Sequence, residues 1–149
     1  MKIYLGADHN GFEIKKKLSV FMRDAGYEVI DLSGDTFNPN DDFPKFAGEA
    51  VSALLADGDK DSRAILICGS GQGMCMAANR FKGIRASLCW DLEEARAARN
   101  DDDSNVLCLS SRYTSFEDMQ PIVMTWLRTQ FAGAPRFVRR IQQLDQLVG

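Results

Sequence analysis

The sequence predicts an α/β fold of the doubly wound kind, with one parallel sheet between two layers of helices. Two observations carry this reading. Short apolar runs alternate with longer amphipathic segments along all 149 residues, which is the order that parallel crossovers require. Four of the five runs are apolar at nearly every position, as strands buried on both faces must be.

Each element follows from local pattern. The first strand is read at 2–6 and leads into an amphipathic helix at 12–25. A second strand at 28–32 is followed by a helix at 43–55, and a third strand at 64–68 by a helix at 72–80. The fourth strand, 86–89, precedes a helix at 91–100, where Asp91 with Glu94 three residues on forms a capping-box signature. After the fifth strand at 106–109 come two helices, 116–131 and 137–148, parted by the breaker Gly133-Ala134-Pro135. There is no linker, repeat or low-complexity tract, and the length fits a single domain with a substantial core.

Composition narrows the function classes. The chain is 45% apolar and 26% charged with a net charge of −3, a poor default for binding nucleic acid. No apolar run approaches the ~18 residues of a membrane span, and no apolar segment precedes the first strand, so a cytoplasmic protein without membrane association is expected. The four cysteines lack paired close spacing, which fits a reducing compartment better than a disulfide framework or zinc site. One histidine and scattered carboxylates offer no metal-ligand spacing, so neither a metal nor another cofactor is expected.

The most informative stretch is Ala64-Ile65-Leu66-Ile67-Cys68 running directly into Gly69-Ser70-Gly71-Gln72-Gly73. Alternate glycines let backbone N–H groups turn toward one point, and the start of the next helix adds donors, giving a cradle for an anion or oxyanion. A thiol at a helix start has its thiolate favoured by the dipole, which places Cys68 as base or nucleophile. The plain alternative is a core cysteine, the usual fate of strand-ending thiols. Three glycines are costly in backbone entropy unless close approach or positive φ is needed, and that favours the functional reading at Cys68. Cys75 has no such support, and Cys89 and Cys108, inside apolar runs, are read as core thiols.

In a doubly wound sheet, ligands bind beyond the carboxyl ends of the strands. Asp8 and His9 follow the first strand, Cys68 and Ser70 the third, and Arg112 the fifth, so these residues can converge. A lone histidine is as often a structural surface residue as a ligand, although Gly11 beside His9 favours function. Arg136 and Arg140 stand at i, i+4 and share a helix face, where two guanidinium forks can hold a phosphate. A solvated basic turn, as expected for Arg139, is the alternative.

Several ordered motifs together resemble one family. They are Gly6-Ala7-Asp8-His9-Asn10-Gly11-Phe12, Asp42-Phe43-Pro44, Cys68 through Gly73, Ala77-Ala78-Asn79-Arg80, Gly83-Ile84-Arg85-Ala86, Asn105-Val106-Leu107, and Arg136 with Arg140. In this order and spacing, essentially end to end, they resemble the ribose-5-phosphate isomerase B and galactose-6-phosphate isomerase family. The resemblance implies a single-domain, Rossmann-like α/β/α sandwich with a five-stranded parallel sheet and a C-terminal helix. It also implies a metal-independent aldose-ketose isomerase working through a cis-enediol, as a homodimer or dimer of dimers with active sites at the subunit interface. By the same resemblance, Cys68 is the base between C1 and C2. Backbone N–H groups of Gly69, Gly71 and Gly73 and the Ser70 hydroxyl stabilise the enediolate. Asp8 binds sugar hydroxyls, and His9, Arg112, Arg136 and Arg140 hold the phosphate, some of them across the interface. Met74 stands where a cysteine-lacking subgroup carries a catalytic glutamate, which points to the cysteine version.

The chain departs from the pattern before Asn105. Family members usually carry a His-Asn pair there, the His opening the furanose ring, and the aligned residues are Asp101 and Asp102. Asp101 thereby takes the catalytic position of ring opening and Asp102 the neighbouring substrate contact. An ionised aspartate accepts but does not donate a proton, so slow turnover of ribose 5-phosphate is expected. Phe43 replaces the usual tyrosine. Two alternatives stand beside the isomerase: a non-catalytic sugar-phosphate binder or partner-dependent subunit, and a dinucleotide-binding oxidoreductase fragment. The glycine run opposes the latter, because it is not G-x-G-x-x-G and follows the third strand.

Overall fold

The computed structural model describes residues 1–147. Eleven elements follow in order: β1 (Lys2–Ala7), α1 (Phe12–Asp24), β2 (Glu28–Asp31), α2 (Phe43–Asp57), β3 (Arg63–Cys68), α3 (Gln72–Ala78), β4 (Ala86–Leu88), α4 (Leu92–Asn100), β5 (Val106–Ser110), α5 (Phe116–Arg128) and α6 (Pro135–Asp145). The five strands form one all-parallel sheet in the order β2-β1-β3-β5-β4.

Strand periodicity divides the core in two. Ile3, Leu5, Ile65, Ile67, Leu107 and Leu109 face one side and pack against α1, α4 and α5 through Leu18, Met22, Ala95, Met119 and Trp126. Tyr4, Ala64, Leu66, Cys68, Val106 and Cys108 face the other and pack against α2 and α3 through Phe46, Ala50, Val51 and Met74. Because β1, β3 and β5 are covered on both faces, every second residue and its neighbours are apolar alike, which is why the sequence shows continuous runs.

The expected α/β/α sandwich with its five-stranded parallel sheet is observed, and its boundaries differ at identifiable places. Three strands are central, and β4 is a short, half-buried edge strand ending at Leu88. α3 stops at Ala78 because the Asn79 side chain clamps β4: its Oδ1 accepts from Ala86 N at 2.9 Å and its Nδ2 donates to Ala86 O at 3.0 Å. α5 stops at Arg128, where Thr129 turns extended and its hydroxyl binds Thr125 O at 2.6 Å. α6 begins at Pro135, not at 137, as suits a residue with fixed φ and no N–H at a helix start. Val148, the expected end of that helix, lies outside the described residues. Asp91 caps α4 as expected, accepting from Glu94 N at 2.8 Å. No helix among the described residues is long and apolar enough to cross a membrane.

The central strands should dominate stability. Ile65, fully buried between β1 and β5, should cost about 2–5 kcal/mol when replaced by alanine. Val20, 57% exposed on α1, should change stability by less than about 0.5 kcal/mol on the same substitution. Urea unfolding of the two variants measures the contrast, and equal losses would contradict the assigned core.

Candidate active site

Parallel pairing brings the carboxyl ends of β1, β3 and β5 side by side. Ala7 pairs with Ile67, and Cys68 pairs with Ser110. The loops beyond are bonded to each other. Asp8 N donates to Ile67 O at 3.3 Å, Ser111 N to Cys68 O at 3.0 Å, and Arg112 N to Gly69 O at 3.0 Å. Ser110 Oγ adds a bond to Gly69 O at 2.7 Å, and Ser111 Oγ one to Cys68 O at 3.2 Å. The carbonyls of the β3 loop are thus tied down toward β5.

Gly71 is in the left-handed region at φ +77°, and a Cβ there would lie 2.5 Å from Leu88 and 3.1 Å from the Leu109 carbonyl. Only glycine meets both conditions. In this conformation Gly71 N–H donates to Cys68 Sγ at 3.2 Å. The first turn of α3 adds the N–H groups of Gly73 and Met74, which have no intrahelical partner at a helix start. Gly73 lies flat beneath the Phe43 ring, where a Cβ would meet ring carbons at 2.6–2.8 Å. Gly69 leaves the space that the Arg112 guanidinium occupies, with Nη2 3.1 Å from where a Cβ would stand and Asn10 Nδ2 at 3.4 Å.

Cys68 itself is 4% exposed, and its sulfur rests on the α2/α3 side of the sheet beside Met74. Ser70, half-buried at the rim, accepts from Gln72 N at 3.3 Å through its hydroxyl oxygen, which leaves the hydroxyl proton to donate. Asp8 is buried, with one oxygen accepting from Asn10 N at 3.0 Å and Gly11 N at 3.3 Å. Burial pushes its carboxyl above the ordinary value, against the pull of those two N–H groups. His9 Nδ1 lies 2.8 Å from Asp41 Oδ1, and this bond raises the imidazole pKa against a smaller opposing effect of burial. Asp8, His9, Cys68, Ser70, Gly69, Gly71, Gly73 and Arg112 therefore meet at one edge of the sheet, as expected.

The remaining candidates do not join them within one chain. α4 runs antiparallel to the strands, so its end at Asn100 returns to the amino edge, where β5 begins. Asp101 caps α4 there and accepts from Asn100 Nδ2 at 2.8 Å. Asp102 is exposed; burial and the Asp101 charge raise its pKa, while Arg140 and Arg85 oppose the rise. The turn carrying both aspartates is fastened by Arg85 to Asp102 O at 3.0 Å and Asp103 O at 2.9 Å, and by Arg99 to Asp103 Oδ1 at 2.8 Å. Arg136 and Arg140 are exposed one turn apart on α6, with the Arg136 guanidinium 4.2 Å from the centre of the Phe137 ring. A strand the length of β3 separates the two edges by about 17 Å. Asp101 and Asp102, with Arg140 close enough to act on the Asp102 carboxylate, thus form a second cluster at the amino edge, and Arg136 stands one turn from Arg140 on α6.

Two side chains sit in surroundings that the sequence did not signal. Asp41 binds His9, yet nothing in the loop Asn38-Pro39-Asn40-Asp41-Asp42 distinguishes it from its acidic neighbour. Cys75 is half-buried with its thiol pKa lowered to about 7 by hydrogen bonding from Cys108, helped by Leu88 and Asn79 and opposed by burial. Burial instead pushes Cys89 up to about 12 and raises Cys108, as suits the core thiols they were expected to be. Among the described residues, no three His, Cys, Asp or Glu side chains are grouped to hold a metal ion.

Comparison with known proteins agrees with this geometry. The family described as Ribose/Galactose Isomerase matches residues 3–144. A probable ribose-5-phosphate isomerase B of Mycoplasma genitalium is 40% identical over 142 residues, covering 95% of this chain and 92% of its own. The solved ribose-5-phosphate isomerase B of Clostridium thermocellum superposes with a TM-score of 0.92 at 36% identity, covering 98% of this chain and 96% of its own. The Mycoplasma genitalium ribose-5-phosphate isomerase B with bound ribulose-5-phosphate gives 0.92 at 39% identity over 97% of this chain and 94% of its own. With the glycine loop, the strand-end thiol and the end-to-end match in agreement, the chain belongs to the ribose/galactose isomerase family.

Proposed function

We propose that this chain interconverts ribose 5-phosphate and ribulose 5-phosphate by moving a proton between C1 and C2. The observation that carries the reading is the Cys68 sulfur held at the end of β3 against the Gly71 N–H, inside a loop of backbone donors and beside Arg112. The Cys68 thiolate takes the C2 proton of the open-chain aldose, and the electron pair left behind forms the C1–C2 double bond of an enediolate. The negative charge moves onto the substrate oxygen, where fixed N–H groups of Gly69 to Gly73 and the Ser70 hydroxyl stabilise it more than they stabilise the ground state. The Ser70 hydroxyl accepts the proton from O2 as it donates its own to O1, and the same sulfur returns the carbon-bound proton to C1, so that the C2–O bond becomes the carbonyl and C1 the hydroxymethyl of the ketose. Asp8 orients the sugar hydroxyls, and His9 with Arg112 holds one side of the phosphate.

The second cluster fits the same reaction when a second copy supplies it. In a homodimer, Arg136 and Arg140 of one protomer close over the phosphate held by its partner, and the Asp101-Asp102 turn reaches the sugar ring. The rigid fastening of that turn by Arg85 and Arg99 suits a role across an interface, because the side chains are presented without help from their own active site.

Three outcomes are expected. Cys68→Ala should lower turnover by at least about 10²- to 10⁴-fold, the usual worth of a positioned base, while sugar-phosphate binding measured by calorimetry stays near wild type; near-normal turnover would refute the assignment. A mixture of Cys68→Ala and Arg140→Ala chains, each nearly inactive alone, should recover activity on co-refolding, since one site in a mixed dimer is intact. No recovery would mean that each chain works alone. Finally, Asp101→His with Asp102→Asn should speed ribose 5-phosphate turnover at least about tenfold, roughly 1.4 kcal/mol of barrier, because ring opening gains a proton donor. Turnover from ribulose 5-phosphate, which has no furanose ring to open, should change far less. Equal acceleration in both directions would show that ring opening is not what the aspartates limit.

A further inference from the structure

The loop between β2 and α2 is fixed at several points along its length. Leu32 N binds Leu5 O at 2.9 Å. Ser33 Oγ bridges Asp31 Oδ1 at 2.8 Å and Ala7 N at 3.2 Å. Lys15, fully buried on α1, pairs with Asp31 at 3.0 Å and donates to Gly34 O. Phe37 packs its ring against Phe12, with centroids 5.6 Å apart. A buried lysine is costly unless paired and bonded, so this fastening holds the loop in one place.

At the end of that loop stands Asp41, its side chain 15% exposed. One of its oxygens, Oδ1, accepts from both His9 N and His9 Nδ1, each at 2.8 Å. Two donors of one residue converging on one carboxylate oxygen fix the imidazole in position and in plane. Since Nδ1–H is consumed, Nε2–H is the only ring donor left for a ligand, and the ring is 30% exposed, so a ligand can reach it.

We infer that Asp41 is a positioning residue for phosphate capture, holding His9 so that Nε2–H is presented to the phosphate of the substrate. The inference rests on the proposed sugar-phosphate site and adds a residue to it. Asp41 and Asp8 are the charged groups acting on the ring, and both favour its protonated form. Asp41 therefore favours the imidazolium, and a cationic ring donating Nε2–H makes the stronger, charge-assisted bond to a phosphate oxygen. Without Asp41, the imidazole would lose its charge as pH rises through the ordinary histidine range.

The test uses the fact that His9 is the only histidine in the chain, so its ring titration is read by NMR without assignment. In the wild-type protein the midpoint should lie above ~6.5, and inorganic phosphate should raise it further. Asp41→Asn should return the midpoint toward the free value, with Asp41→Glu restoring part of the rise. At pH 7, just above the ordinary histidine range, Asp41→Asn should raise KM for ribulose 5-phosphate about tenfold, the worth of one charge-assisted hydrogen bond, with kcat unchanged and a smaller effect at pH 6. A wild-type midpoint at or below that of free imidazole would overturn the inference with no variant needed. So would an Asp41→Asn variant with unchanged midpoint and KM, or one losing kcat alone. Failure of the isomerase reading looks different: His9 would still respond to phosphate and to Asp41, while no aldose phosphate turned over.

Discussion

Parallel pairing of β3 with β1 on one side and β5 on the other is the constraint on which the molecule depends. It buries β3 on both faces and at both edges, so that the strand meets its glycine loop at the carboxyl end. It also sets the three loops after β1, β3 and β5 in contact, so that residues more than a hundred positions apart, Asp8 and Arg112, come together. The bonds from Ser110, Ser111 and Arg112 to the carbonyls of Cys68 and Gly69 extend the sheet's pairing beyond its last residues. With those carbonyls occupied, the N–H groups of the same loop are turned the other way.

The glycines convert that constraint into chemistry, each for a different steric reason. Gly71 needs a left-handed backbone in a space closed by Leu88 and Leu109, Gly73 lies under the Phe43 ring, and Gly69 makes room for Arg112. The result is a rigid array of backbone dipoles around a buried sulfur, a form of stabilisation that needs no reorganisation when charge develops. Phe43 caps this array from α2, its ring packed on Gly73.

Much of this was legible in the sequence. The central strands were visible because burial on both faces leaves no polar alternation, and the Cys-Gly loop was visible because three glycines so close together are hard to explain by folding alone. Asp91 announced its own cap. The edge strand β4 was read too long because an edge is defined by its neighbours, and the Asn79 clamp that ends α3 joins residues seven apart through a side chain. The placement of Asp101 and Asp102 at the amino edge follows from the direction of α4, which any βαβ unit dictates. Asp41 was not legible, because its partner His9 lies 32 positions away on another loop and its own neighbours are equally polar.

The central claim is that the Cys68 sulfur, in its cradle of N–H groups, carries a proton between adjacent carbons by way of an enediolate. Isomerisation of ribulose 5-phosphate in D₂O, followed by NMR of the product, tests it most directly. A thiol exchanges its proton with water between taking it from one carbon and returning it to the other, so the account predicts deuterium at C2 of the ribose 5-phosphate formed. Complete retention of the substrate hydrogen, with none from solvent even at slow turnover, would indicate direct hydride transfer between the carbons and would contradict it.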